Sequence, residues 1–272
     1  MILLNDMKLR IYQVDAFARQ LFKGNPAAVI PLENWLPDNV MQKIAMENNL
    51  SETAFFVPLG DQFELRWFTP ITEVNLCGHA TLATAHIIFS NLKPDLEEIL
   101  FSSKSGILKV FRERDTYYLD FPASRAVPLE KNKLPGLDKI FKNYLEIIEG
   151  SEDLMVTLPE ESDIRSYQPD FHLLKKLEYR GIIITAKGHD VDFVSRFFGP
   201  RVGVDEDPVT GSAHTLLIPY WTRKLKKTSM TACQLSQRGG ELLCEHMGDR
   251  VRIGGSATTY LTGEIDIPDM TA

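Results

Sequence analysis

The chain repeats itself. Phe63–Pro70 reads FELRWFTP and Phe193–Pro200 reads FVSRFFGP, so Phe, Arg, Phe and Pro recur at an offset of about 130 residues. Downstream, Cys77–Leu82 (CGHATL) stands opposite Thr210–Leu216 (TGSAHTL), which sets Gly78 against Gly211. Ser103–Gly106 (SKSG) stands opposite Ser236–Gly239 (SQRG), and each is followed by an expected hairpin. Three matches in one order at nearly one offset point to a duplicated unit, and 272 residues suffice for two medium domains.

The periodicity inside each copy predicts an α+β fold. Alternating apolar runs at Leu9–Phe17, Ala27–Pro31, Glu64–Phe68, Leu108–Arg112, Tyr117–Phe121, Gly181–Ala186 and Arg250–Ile253 read as strands. Helical spacing marks Asp38–Asn48, Ala80–Ser90, His214–Arg223 and Asp170–Leu177. Mixed sheets wrapped on helices follow. The proline- and charge-rich stretch 122–136 is the expected cut, giving an N-terminal half 1–122 and a C-terminal half 123–272, with a return of the last residues to the first half left open.

Charge and cysteine usage exclude several function classes. A net charge of −7 argues against a surface that neutralises nucleic-acid phosphates or anionic lipid. The start MILLNDMKLRIYQVDAF has no basic region ahead of an apolar core, and no stretch approaches ~18 apolar residues. A soluble, cytoplasmic protein with no nucleic-acid and no membrane partner is expected. Cys77, Cys233 and Cys244 are too few for a disulfide framework, and no Cys/His cluster has zinc spacing, so reduced thiols and no structural metal are expected.

In each copy a glycine loop leads into a helix, Gly78-His79-Ala80 and Gly211-Ser212-Ala213. First-turn amides lack intrahelical partners and carry the positive end of the helix dipole, so each loop is a seat for a carboxylate or a developing oxyanion. Two such seats facing one cleft would grip an acid, which places the expected active site between the halves. Glu52, in ENNLSETAFFV, precedes an apolar strand run, where partial desolvation suits an acid to proton transfer. Read alone it is equally a solvated or capping glutamate. Asp205-Glu206-Asp207 before Pro208 is either a solvated loop or a carboxylate source for the second glycine loop. His79 could donate to a substrate or bond backbone, and Cys77, beside a helix start, is either a buried small residue or an activated thiol. His86, His172, His189, His214 and His246 read as structural or surface residues.

The segments NPAAV (Asn25–Val29), NLSETAFF (Asn49–Phe56), RWFTP with EVNLCGHATLA (Arg66–Ala83), DEDPVTGSAH (Asp205–His214), SQRGG (Ser236–Gly240) and RVRIGG (Arg250–Gly255) together resemble the PhzF-like, or phenazine biosynthesis-like, proteins. The resemblance spans almost the whole chain. It implies a pseudo-twofold duplicated fold, shared with diaminopimelate epimerase and proline racemase, in which each half is a mixed β-sheet wrapped around a central helix. It implies a cofactor-independent isomerase, often homodimeric, that moves a proton on a small, cyclic or unsaturated carboxylic acid; in the phenazine-pathway member an enol becomes a ketone. On that resemblance Glu52 is the general acid/base, His79 and Asp207 complete the catalytic set, and Ser51, Gly78, Gly211 and Ser212 contact substrate, with neither metal nor cofactor.

One departure from the wider superfamily matters. Racemases and epimerases of this fold use a cysteine from each half; here Cys77 matches the first, but Thr210 fills the second. Threonine is a poor base near neutral pH, which favours a single acid/base at Glu52. The alternatives are a racemase or epimerase using Cys77, and a non-catalytic metabolite-binding or regulatory protein retaining the fold.

Overall fold

Runs rich in β-branched and aromatic residues suit a pleated surface covered on both faces. In the computed structural model, which describes residues 7–130, 134 and 136–267, they form the strands of two units. The first comprises the described residues of Met1–Phe22, Pro26–Leu119 and Ser256–Ala272; the second comprises those of Lys23–Asn25 and Asp120–Gly255.

The first unit contains β1 (Met7–Ala16), β2 (Asn25–Pro31, after its first residue), α1 (Asp38–Asn48), β3 (Glu52–Leu59), β4 (Gln62–Phe68), β5 (Glu73–Val74), α2 (Gly78–Ile87), β6 (Glu98–Ser103), β7 (Gly106–Glu113) and the start of β8 (Thr116–Pro122). The C-terminal strand Ala257–Ile267 joins it, antiparallel to β1. β3 is parallel to β2 and antiparallel to β4, while β4 is antiparallel to β5 and parallel to β6, which is antiparallel to β7.

The second unit contains β9 (Val127–Pro128), α3 (Leu137–Ile140), β10 (Glu146–Glu149), β11 (Asp153–Thr157), α4 (Glu161–Ser166), α5 (Phe171–Leu174), β12 (Gly181–Lys187), β13 (Phe193–Gly199), β14 (Val204–Asp207), α6 (His214–Leu225), β15 (Ser229–Gln234), β16 (Gly240–His246) and β17 (Arg250–Gly255). The same senses recur. β12 is parallel to β11 and antiparallel to β13; β13 is antiparallel to β14 and parallel to β15, which is antiparallel to β16. In each unit the parallel pair β4/β6 or β13/β15 requires a crossover, and the helix α2 or α6 supplies it. The turns repeat too: Gly106 and Gly239 both have positive φ, +96° and +68°, a conformation in which glycine carries no Cβ penalty.

The arginine of the repeated strand motif explains why that motif recurs. Arg66 forks onto Glu73 of β5 with both bonds at 2.8 Å and lies over the Phe68 ring at 5.2 Å. Arg196 forks onto Glu206 of β14 at 2.7 and 3.0 Å and lies over Phe198 at 5.0 Å. Each arginine thereby fixes the short strand that leads to its unit's glycine loop, and Arg66 holds the Glu73 carboxyl down to about 2.

Each unit has two apolar layers. In the first, nine of the ten residues of α2 are buried, so this helix is apolar all round and packs against β1, β3 and the C-terminal strand. The other face of the strands, with Ile30, Phe55, Val57 and Phe68, packs on Val40, Met41 and Ile44 of α1. In the second, Trp221 of α6 stacks on Phe193 at 5.7 Å and donates to Thr185 Oγ1, whereas Leu154, Ile182, Ile184 and Phe198 face the cluster of Leu137, Phe141, Ile164 and Leu174 on the short helices. Fully burying one such side chain contributes about 1.5–3 kcal/mol. Among the described residues no helix is long and apolar enough to cross a membrane.

Two helices differ from expectation. The Asp170–Leu177 helix is only Phe171–Leu174, because Asp170 caps it and the Lys-Lys-Leu-Glu-Tyr stretch that follows presents few apolar positions to a core. The Ala80–Ser90 helix begins earlier, at Gly78, and passes after Ile87 into a π-helical turn, Ile88–Leu92. α6 tolerates Pro219 in its interior. Proline cannot donate to the carbonyl four residues back, and that carbonyl, of Thr215, accepts instead from the Ser124 amide at 3.0 Å.

Candidate active site

In the first unit, three chemically capable side chains meet where β3 and α2 begin. Glu52 is the first residue of β3, Cys77 is the N-cap of α2 and His79 is its second residue. Glu52 Oε2 lies 3.2 Å from His79 Nε2, and Cys77 Sγ lies 3.5 Å from His79 Nδ1. His79 is buried, and desolvation pushes its imidazole down to about 3, so the ring is neutral at physiological pH. The 3.2 Å approach therefore sets a carboxyl group against a neutral ring, off the alignment of a formed hydrogen bond and not as an ion pair. Glu52 keeps 18% of its side chain exposed, enough for a ligand to reach it. Ser51 precedes it, half-buried, and Gly78 is buried as the first residue of α2, whose first-turn amides carry the positive dipole end.

Among the described residues, Glu52, Cys77 and His79 form one group whose ligand atoms all lie within 4.8 Å of one another. Glu52 meets Nε2 and Cys77 meets Nδ1, on opposite sides of the ring. That arrangement suits proton movement across the imidazole.

In the second unit the centre is Asp207, the last residue of β14. Its carboxylate accepts from Asn25 Nδ2 at 2.7 Å and from Thr210 Oγ1 at 2.5 Å. Both bonds favour the ionised form, yet burial outweighs them and pushes Asp207 up to about 6. Asn25 also donates to the Val209 carbonyl, and Gln234 ties the loop from the other side, accepting from the Thr210 amide at 2.9 Å and donating to the Asp207 carbonyl at 2.7 Å. Gly211, Ser212 and Ala213 form a turn and α6 starts only at His214, three residues later than the equivalent start in the first unit. Ser212 Oγ accepts from Arg180 at 3.2 Å; Arg180 is itself paired with Asp153 and lies over Phe197 at 5.6 Å. Gly181 leaves room for that ring, since a Cβ there would come 2.0 Å from Phe197.

Of the residues singled out from the sequence, the structure places Glu52 and His79 in one group with Ser51 and Gly78 alongside, and Asp207 next to the Gly211–Ser212 turn. His86 is held between Tyr117 Oη and Thr259 Oγ1, both at 2.9 Å, and His214 bonds the Thr210 carbonyl; both serve structure. The reading of residues missed Asn25, Gln234 and Arg180. Asn25 lies in the quoted NPAAV segment, but nothing in its local sequence announces a partner 182 residues away. Two surface clefts of about 510 and 350 Å³, one lined by Ile148, Tyr220 and Lys224 and the other by Ile11, Asn48 and Leu261, include none of Glu52, His79 or Asp207.

The family model described as phenazine biosynthesis-like protein matches residues 14–263. A Pseudomonas aeruginosa protein described as an uncharacterized isomerase is 49% identical over 260 residues, covering 95% of this chain and 99% of that protein. The crystal structure of a PhzF-family phenazine biosynthesis protein from Enterococcus faecalis superposes with a TM-score of 0.92 at 48% identity, over 95% of this chain and 99% of that one. A hydroxyproline epimerase from Agrobacterium vitis, solved with bound trans-4-hydroxy-L-proline, shares the fold alone: TM-score 0.64, 9% identity, 97% and 94% coverage. The repeated strand order described above is thus the duplicated, diaminopimelate epimerase-like fold.

Proposed function

This chain belongs to the phenazine biosynthesis-like family and is an isomerase, and on that premise we propose that it moves a proton on a small, cyclic or unsaturated carboxylic acid through Glu52, without metal or cofactor. The observation that supports this reading is the Glu52 carboxyl, partly exposed, 3.2 Å from a neutral imidazole at the start of a buried helix. A carboxylate there can take a proton from carbon and return it to a neighbouring carbon. With a small turn of the carboxyl the neutral His79 ring can bond either protonation state of Glu52, and the first-turn amides of α2 stabilise the enolate-like charge that develops in between. Ser51 and Gly78 are assigned to holding the substrate, and Asp207, Gly211 and Ser212 to the same reaction.

Epimerisation by two thiols has less support. The position equivalent to Cys77 is Thr210, whose hydroxyl is committed to Asp207 at 2.5 Å. Cys77 nevertheless lies within reach of His79, so a one-thiol contribution remains compatible with the geometry.

The test is incubation of a panel of small unsaturated carboxylic acids in deuterated water. Wild type is expected to incorporate solvent deuterium into at least one of them. Glu52→Gln should lower that rate by about two orders of magnitude or more, the scale of a lost general base, while calorimetric binding of the same acid stays within a fewfold. Full exchange in the variant would remove Glu52 from the mechanism.

A further inference from the structure

We infer that Cys77 and Glu52 exchange a proton through the imidazole of His79, which makes Cys77 a second titrating member of the acid/base machinery. This inference rests on the assignment of Glu52 and extends it.

The geometry is specific to the ring. Cys77 Sγ meets Nδ1 at 3.5 Å and Glu52 Oε2 meets Nε2 at 3.2 Å, so the two partners address different nitrogens of one imidazole. A neutral imidazole carries one N–H and one lone pair, and the contact made by one nitrogen sets what the other can do. In one arrangement the Cys77 thiol donates to Nδ1 while Nε2–H, once the carboxyl turns into line with it, donates to the Glu52 carboxylate. In the other, the Glu52 carboxylic acid donates to Nε2 while Nδ1–H donates to the Cys77 thiolate. Passing from the first to the second breaks the S–H and Nε2–H bonds and forms Nδ1–H and O–H. The ring is neutral before and after, the net charge of the group stays at −1, and no co-reactant is needed.

Ordinary thiols and ordinary carboxylic acids differ in acidity by about four pH units, which favours the thiol and carboxylate form. The exchange places negative charge on the N-cap residue of α2, where the helix dipole favours an anion. An isomerase has use for both forms, because one proton must leave one carbon and arrive at another. With a single proton shared between two groups, the site holds a base and an acid at once. His79 has stayed neutral throughout, which burial ensures.

The other titratable groups on the elements packed against α2 are engaged elsewhere or exposed. Asp15 on β1 accepts from the Phe22 amide, Lys8 pairs with Glu264 and Asp266 of the C-terminal strand, Arg10 is exposed, and Tyr12 and Tyr260 are phenols. His86, on α2 itself, is held by Tyr117 and Thr259.

Ultraviolet titration of the thiolate, without any substrate, tests the coupling. The background is Cys233→Ala with Cys244→Ala, since burial pushes both of those thiols up and neither belongs to the group. Into it go Glu52→Gln, His79→Phe and the two together, with folding checked by circular dichroism; His79→Gln replaces His79→Phe if the latter does not fold. Glutamine can donate to Nε2 and so frees Nδ1–H for the thiolate. Glu52→Gln is therefore expected to lower the Cys77 midpoint by at least about half a pH unit, about a threefold rise in thiolate fraction at fixed pH. With the imidazole gone, the same change should move the midpoint by less than half as much. A Cys77 midpoint that Glu52→Gln leaves unmoved, or an equal shift with and without the ring, overturns the inference. Neither result touches the assignment of Glu52, which stands or falls on deuterium incorporation.

Discussion

Cys77 and Thr210 hold the same station in the two units: the carbonyl of each accepts from the side chain four residues on, Thr81 Oγ1 at 2.6 Å for Cys77 and His214 Nδ1 at 2.9 Å for Thr210. That one backbone contact has been kept while the helix start and the side-chain chemistry have diverged. Cys77 turns its sulfur toward His79, whereas Thr210 gives its hydroxyl proton to Asp207. A threonine at this place lowers the proton affinity of a neighbouring carboxylate.

That role predicts the outcome of Thr210→Val, which is nearly isosteric. The hydrogen bond from Thr210 lowers the proton affinity of Asp207, so its loss should move the Asp207 midpoint above about 6. Stability should fall by about 1 kcal/mol, the net worth of one such bond. Carboxyl-carbon NMR titration of the valine variant, with Asp207→Asn to assign the signal, reads the shift directly. A midpoint at or below that of wild type would mean that Thr210 does not tune Asp207.

Buried histidines set how the fold responds to acid. Desolvation holds His79 at about 3 and His86 and His214 at about 4, against 6.5 for an exposed ring. A folded pKa below the unfolded one means that unfolding takes up a proton, so this stability is full above pH 6.5 and is lost as the pH falls toward 4. Asp207 has the opposite sign. Its folded value near 6 lies above 3.8, so its contribution is present below about pH 4 and is lost as the pH rises through 6. Near pH 5 three proton uptakes oppose one release, and the net of two corresponds to about 3 kcal/mol lost per pH unit of acidification. Asp207→Asn removes the opposing group, so its slope should steepen toward about 4 kcal/mol per unit, and at about pH 8 it should be more stable than wild type. Urea unfolding at about pH 5, 6 and 8 measures both; a flat profile between the two lower values would contradict the neutral, buried state of the three rings.

The duplication was legible because its signal is local. Phe, Arg, Phe and Pro lie within eight residues, and the structure assigns each arginine the same task, a fork onto a glutamate of the next short strand. The start of α2 was harder to read, since a helix buried on every side has no polar face to mark its period, and only its glycine hinted at Gly78. In the second unit the glycine was a poorer guide: Gly211 to Ala213 form a turn, and the helix waits for His214. Residue types alone could not show that Glu52 meets His79, because the contact joins the start of a strand to the start of a helix 27 residues on. Asn25 and Gln234 escaped for the same reason. Amides are common and cheap to place on a surface, and what ties these two to the Asp207 loop is a partner reached only through the fold.

The paired arginines lead to the last prediction. Arg196 is about nine-tenths buried, binds both oxygens of Glu206, and donates to the carbonyls of Ile164 and Tyr167 at 3.1 and 2.7 Å. Arg196→Ala would strand a partly buried carboxylate and two carbonyls, a loss of about 3–5 kcal/mol. Glu206 adjoins Asp207, so turnover should fall together with stability. Replacing both partners by apolar residues, Arg196→Met with Glu206→Leu, removes the stranded charge and should cost less than the sum of the two single changes, with a coupling of about 1–3 kcal/mol. If the fork serves only to hold β14 in place, the double variant should regain most of the deuterium-exchange activity along with its stability, because Asp207 keeps Asn25 and Thr210 as partners. Urea midpoints for the four proteins give the coupling. Strictly additive losses would show that the fork adds nothing beyond the two side chains taken separately, and that the repeated spacing of the strand motif within this chain has some other cause.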